Sequence, residues 1–140
     1  MPIKAECPCG SGQLYANCCR RFIDGHQLPQ TPEQLMRSRY TAYTHCNINY
    51  IAATMCGDAK KGFSKKSALK WSKSVIWNSL RVLAVSPIDA FATHGTVSFE
   101  ARFSERGRSC VMAEISQFER ISGRWFYVSG VASSHQIESD

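Results

Sequence analysis

Four cysteines fall within thirteen residues near the start of the chain, in CPCGSGQLYANCC at positions 7–19. A cluster this dense restricts the local fold to few forms: the thiols share a metal, pair as disulfides, or stand free. Zinc takes ligands converging tetrahedrally at about 2.3 Å. Cys7 and Cys9 can reach one point from a tight turn, because the small residues Gly10, Ser11 and Gly12 follow them. Backbone N–H groups of that turn can then donate to the sulfurs. Eight residues on, the chain returns Cys18 and Cys19, and Tyr15 and Phe22 are at hand to cover the site. Against disulfides, adjacent cysteines pair poorly with each other, and seven cysteines leave one over. Free exposed thiols invite oxidation, and no C-x-x-C redox pair is present. The residues point to one structural zinc on Cys7, Cys9, Cys18 and Cys19. Four sulfur ligands leave no open position for metal catalysis.

The rest of the chain reads as one folded domain. It has 140 residues, of which 44% are hydrophobic and 20% charged, which argues against disorder. No apolar run approaches the about 18 residues of a membrane-spanning helix. The start MPIKAECPCG has no apolar stretch of a secretory signal. A cytoplasmic protein with reduced thiols is the expectation. We divide the chain into a knuckle at 1–22, a connection at 23–31 carrying Gly25 and Pro29, a main domain at 32–134 and a tail at 135–140.

Helices should come first in that domain. Thr31 is an N-cap, Pro32 suits the first helical position, and Gln34 completes a capping box. Leu35, Arg39, Ala42, Tyr43 and Cys46 follow at helical spacing. Asn47 caps a second helix that Gly57 should end, and Ser64 caps a third over about 65–74. The period then becomes two. VIWNSLRVLAV (75–85), GTVSFEARF (95–103), CVMAEISQFERI (110–121) and RWFYVSG (124–130) read as strands, with turns at Arg106-Gly107-Arg108 and Ser122-Gly123. Helices followed by antiparallel strands predict an α+β fold, with cone-like helices packed on one face of a curved sheet.

CPCGSGQLYANCC resembles the SEC-C motif, C-x-C-G-S-G-x-x-Y-x-x-C-C/H, through Cys7, Cys9, Gly10, Ser11, Gly12, Tyr15, Cys18 and Cys19. TPEQLMRSRYTAY (31–43), Trp77, Leu80, GTVSFEARF and the SGRWFYVSG end are similar to YchJ-like bacterial proteins, so that the likeness spans residues 7–130. It implies a nuclear-transport-factor-2-like main domain, and a knuckle of the kind that docks proteins or ribosomes. The chain departs from the family in two places. It ends SSHQIESD, where many relatives carry a second SEC-C motif. It also reads EISQF at 114–118 where relatives have E-R-S-R-F, which puts Ile115 and Gln117 at the arginine positions.

Three functional readings follow. The first is a non-catalytic adaptor that docks a protein or ribosomal partner through the knuckle, with Lys4, Arg20 and Arg21 beside it for an acidic or phosphate-bearing surface. The alternative is a clip that only pins the N-terminus to the main domain. The second is a small-ligand binder or enzyme using an apolar cone pocket with Glu114 inside. Glu114 shares strand parity with Met112, Ser116 and Phe118, and the opposite parity, Val111, Ala113 and Ile115, is just as apolar, so the pattern leaves its face open. Arg39, Tyr40 and Tyr43 are candidates for an anion site at the cone's mouth, or Arg39 ties its helix to the sheet or knuckle. The third is nucleic-acid binding. Residues 31–74 hold nearly all of the net charge of +6, and Lys60, Lys61, Lys65, Lys66, Lys70 and Lys73 come without an intervening acid. With Phe63 and Trp71 interleaved, this run is either a phosphate-contacting strip or a solvated helix face.

Overall fold

The computed structural model describes residues 5–138, with side chains described for 5–132. Lys4, the side chain of His135 and the last two residues of the expected tail lie outside the described residues. After a single 3-10 turn (Tyr15–Asn17) come α1 (Arg20–Ile23), α2 (Pro32–Thr44), α3 (Ile48–Ala53), α4 (Gly57–Lys61) and α5 (Lys65–Ser74). The strands are β1 (Val75–Val85), β2 (His94–Glu105), β3 (Arg108–Ile121) and β4 (Arg124–Glu138). The fold is α+β, with helices set against a four-stranded antiparallel sheet of order β1-β2-β3-β4.

Three helix starts, those of α2, α3 and α5, are fixed by side-chain caps. Thr31 accepts from the Gln34 N–H at 3.1 Å, Asn47 from Tyr50 at 3.1 Å and Ser64 from Ser67 at 3.2 Å. Each satisfies one of the donors that a helix N-terminus leaves unpaired. The Gln34 side chain reaches back to the N–H of Gln30 at 2.7 Å, one residue upstream of the expected box partner.

Gly57 does not end the second helix. α3 stops at Ala53, and the next residues run beside the outer strand. The Tyr127 N–H donates to Thr54 O at 2.8 Å, and the Cys56 N–H to Tyr127 O at 3.0 Å. This short parallel bridge covers part of the β4 edge. Gly57, at φ +61°, then turns the chain into α4, a helix that the sequence reading lacks.

The sheet follows its alternation. Val97, Phe99, Ala101 and Phe103 are buried on one face of β2, while Ser98, Glu100 and Arg102 are not. Two-residue turns at Arg106-Gly107 and Ser122-Gly123 have positive φ at both positions, which matches the right-handed twist of the strands they join. β4 carries two register shifts against β3, at Ala113/Glu114 and Gln117/Phe118, and so brackets residues 114–117. Its backbone continues to Glu138, into the segment that the sequence reading places in a tail.

One core cluster runs without a break from the four cysteines through Leu35, Met36 and Tyr40 to Val97, Phe99, Phe118 and Trp125. The knuckle and the main domain therefore share a hydrophobic core. Burying an aliphatic or aromatic side chain of this kind contributes about 1.5–3 kcal/mol.

Candidate functional site

The four cysteine sulfurs lie within 4.8 Å of one another, and all four residues are buried. Positive φ at Gly10 (+80°) and Gly12 (+84°) turns the chain back after Cys9, and the Cys7 N–H closes this turn on Gln13 O at 2.8 Å. Cys9 and Cys18 sulfurs are 3.7 Å apart, and those of Cys18 and Cys19 4.0 Å. Hydrogen bonds from the thiols of Cys19 and Cys7, with smaller help from Ser11, hold the Cys9 thiol far below its ordinary range. Burial pushes Cys18 up. The arrangement can hold a metal ion.

The main domain reaches into this cluster through α2. The guanidinium of Arg37 donates to Cys9 O at 2.8 Å and to Cys9 Sγ at 3.8 Å, and Glu33 braces it at 2.9 Å. Thr41 Oγ1 stands 3.7 Å from Cys7 Sγ. Arg37 and Thr41 are four residues apart and share one face of α2. Of the two ties that the sequence reading offers to Arg39, to the sheet or to the knuckle, the one to the knuckle is made by Arg37, while Arg39 reaches β4 over the Tyr127 ring. The i,i+4 pairing with Glu33 is the signal that could have singled out Arg37.

The other side of α2 walls a cavity of about 360 Å³ between the helices and the sheet. Met36, Arg39, Tyr40 and Tyr43 line it from α2, Trp71 from α5 and Trp77 from β1, and β3 contributes Met112, Glu114, Ser116 and Phe118. The open question of strand parity is answered: Glu114 points in. The family-matching residues Glu114, Ser116 and Phe118 all line the cavity, while Ile115 and Gln117 are exposed.

The Oε2 of Glu114 accepts hydrogen bonds from Ser116 at 2.5 Å and from the Tyr127 hydroxyl at 3.2 Å. Gly130 makes room for this, since a Cβ there would collide with the Glu114 carboxylate and the Tyr127 hydroxyl. Arg39, 8% exposed, donates from Nη1 to Ile51 O at 2.9 Å and Thr54 Oγ1 at 2.7 Å, and stacks 4.5 Å over the Tyr127 ring. No carboxylate among the described residues lies within ion-pair distance of it. Burial lowers the Arg39 pKa and raises those of Tyr43 and Tyr127. Arg39 and Glu114 therefore flank one ring, Tyr127, from its face and its hydroxyl end. Sequence reasoning missed Tyr127 and Thr54, because neither is near the others in sequence.

The remaining candidates are engaged differently. Arg20 pairs with Asp24 at 3.0 Å, and Arg21 donates to Cys18 O at 3.1 Å and lies 4.4 Å over Phe22. The lysine run divides between α4 and α5, where Lys65, Lys66 and Lys70 are exposed and Lys65 donates to Asn49 at 3.3 Å. Phe63 and Trp71 turn to the core, so these rings pack inward and are not stacking platforms beside the lysines. No helix among the described residues is long and apolar enough to cross a membrane.

Comparison with known proteins matches residues 31–130 to "YchJ, middle NTF2-like domain" and residues 5–21 to the SEC-C motif. A UPF0225 protein of Geobacter sulfurreducens is 36% identical over 124 residues, 89% of this chain and 77% of that one. A UPF0225 protein of Haemophilus influenzae strain PittEE is 36% identical over 133 residues, 94% of this chain and 81% of that one. Among solved structures, a SEC-C motif containing protein from Rhodopseudomonas palustris superposes with a TM-score of 0.83 at 35% identity, covering 91% and 98% of the two chains. One from Psychrobacter arcticus gives 0.76 at 26% identity, covering 91% and 82%.

Proposed function

The chain belongs to the YchJ-like family, an NTF2-like domain preceded by a SEC-C motif, and we propose that it is a small-molecule-binding protein whose cone cavity is the working site and whose metal knuckle is an internal clip. The observation that carries this reading is Glu114. A half-buried carboxylate facing an apolar cavity of about 360 Å³ gives up part of its hydration, a cost that a binding task explains. It is held in place by Ser116 and Tyr127 and flanked by a buried arginine. An apolar container with a few convergent polar groups is the usual form of a ligand site.

The metal in this reading is zinc. Zinc–sulfur bonds of about 2.3 Å in a tetrahedron set the sulfurs about 3.8 Å apart, which the separations of 3.7 and 4.0 Å approach. A buried four-sulfur set suits a structural ion, and reduced thiols suit a cytoplasmic setting. The clip acts on α2: Arg37 and Thr41 grip the cysteines, while Arg39, Tyr40 and Tyr43 on the same helix wall the cavity.

Docking of a protein or ribosomal partner at the knuckle is the second reading. It would rest on Arg20, which is exposed but shares its charge with Asp24, and on Arg21, which is held by Cys18 O and the Phe22 ring. The cavity reading therefore stands first. Its test is a screen of fluorinated aromatic fragments against isotope-labelled, zinc-loaded protein, with elemental analysis giving one zinc per chain. Shifts at Met36, Tyr43, Met112 and Glu114 are expected. Fragments that bind only around Arg20 and Arg21, or not at all, would refute it.

A further inference from the structure

The cavity contains both charges of a potential ion pair, held apart. Arg39 sits on the face of the Tyr127 ring and Glu114 at its hydroxyl, with no ion pair between them. Glu114 uses Oε2 for both of its hydrogen bonds, and its Oε1 has no partner among the described residues. Arg39 uses Nη1 for both of its own, and its other nitrogens likewise have none. The indole N–H of Trp77, also in the wall, is buried without a partner. That indole nitrogen is closed off, whereas the free Glu114 Oε1 and Arg39 nitrogens are not among the fully buried atoms, and unpartnered polar atoms of residues lining a cavity indicate what an occupant should supply.

Resting on the cavity reading above, we infer that the ligand is a neutral molecule with an apolar, ring-sized body and a carboxamide-like head, a carbonyl acceptor beside an N–H donor. The carbonyl accepts from Arg39, and the N–H donates to Glu114 Oε1. A carboxylate head would meet Arg39 but also face Glu114. An ammonium head would meet Glu114 but face Arg39. In a low-dielectric site the unlike and like charges nearly cancel for either ion, while its desolvation does not. A neutral donor–acceptor pair satisfies both protein groups without that loss. The body has Tyr43, Trp71 and Phe118 for ring contacts and Met36, Met55 and Met112 for adaptable packing.

Four probes sharing one ring system test this on the zinc-loaded protein: 2-naphthamide, 2-naphthoate, 2-naphthylmethylammonium and 2-methylnaphthalene. Affinities come from ligand-observed NMR titration. The amide should bind at least about tenfold more tightly than the other three. Glu114→Gln keeps the side chain's shape and an acceptor for Ser116 and Tyr127 but leaves Arg39 as the only charge, so the naphthoate should become the tightest binder in that variant. A charged probe that equals the amide in the wild type, or a ranking unchanged in Glu114→Gln, overturns the inference. Equal binding of the methyl compound and the amide overturns the ligand class and leaves the cavity reading standing. No binding by any probe overturns both.

Discussion

Replacing Gly130 with alanine adds one methyl group behind two residues of the cavity wall, Glu114 and Tyr127. Its Cβ would collide with the carboxylate of Glu114 and the hydroxyl of Tyr127. Both are the ends of side chains that can swing, so the backbone need not move. What is lost is the pair of hydroxyl hydrogen bonds on Glu114 Oε2. Hydrogen bonds to a charged group are worth about 1.5–3 kcal/mol each, and re-solvation of the displaced carboxylate recovers much of that. A net destabilisation of about 2 kcal/mol follows, which for a chain of this size lowers Tm by roughly 6 °C. Thermal melts followed by circular dichroism measure it. Gly62→Ala is the control: its Cβ meets nothing within 4 Å, so its Tm should stay close to wild type. Gly130→Ala should also weaken 2-naphthamide binding by at least about tenfold, because Glu114 leaves its position. If Gly130→Ala melts like the wild type and binds the amide as well, the close packing of Glu114, Tyr127 and Gly130 does not hold the site, and the reasoning fails.

Arg37→Gln should weaken metal affinity about 10–100-fold, the usual cost of removing an outer support of a metal ligand, as read by competition with a chromophoric chelator; an unchanged affinity would remove Arg37 from the site. Thr31→Ala removes the cap of α2 and should cost about 1 kcal/mol in urea unfolding, whereas a cost near zero would mean that the tertiary contacts alone fix the helix start. Burial pushes Tyr40 and Tyr50 up to about 12, against about 10 in an unfolded chain. The unfolded state therefore loses these protons first, and their contribution to stability is complete below about pH 10 and lost as pH rises towards 12. Phenolate absorbance at those tyrosines should appear with unfolding, and its appearance near pH 10 in a still-folded protein would contradict the burial argument.

Most of the local architecture was legible in the sequence, because its causes are local. Thr31, Asn47 and Ser64 cap helices through bonds to residues three positions on. The turns at Arg106-Gly107 and Ser122-Gly123 are two-residue events. The cysteines converge because a glycine-bearing turn lies between the pairs. Glu114 was not legible, since both faces of β3 carry apolar residues and the deciding factor is which face the helices cover. Gly57 misled because a glycine after a helix usually ends it. Here Thr54–Cys56 instead bond to the β4 edge, a partner more than seventy residues away in sequence. The i,i+4 spacing of Glu33 and Arg37 was readable as a pair, but that Arg37 and Thr41 grip the knuckle needed the same kind of tertiary knowledge. The lysine run read as one patch in sequence but divides between two helices whose aromatic residues turn inward.

The central claim is that the metal clip and the cavity are one mechanical unit joined by α2. Amide hydrogen exchange, compared between zinc-loaded and chelated protein, tests it residue by residue. The account predicts that removing the metal strips protection from the knuckle and from α2 at Arg39, Tyr40 and Tyr43 together, while β2 and β3 keep theirs. Protection lost only over residues 7–22, with α2 unchanged, would contradict it and leave the knuckle an appendage with no hold on the cavity.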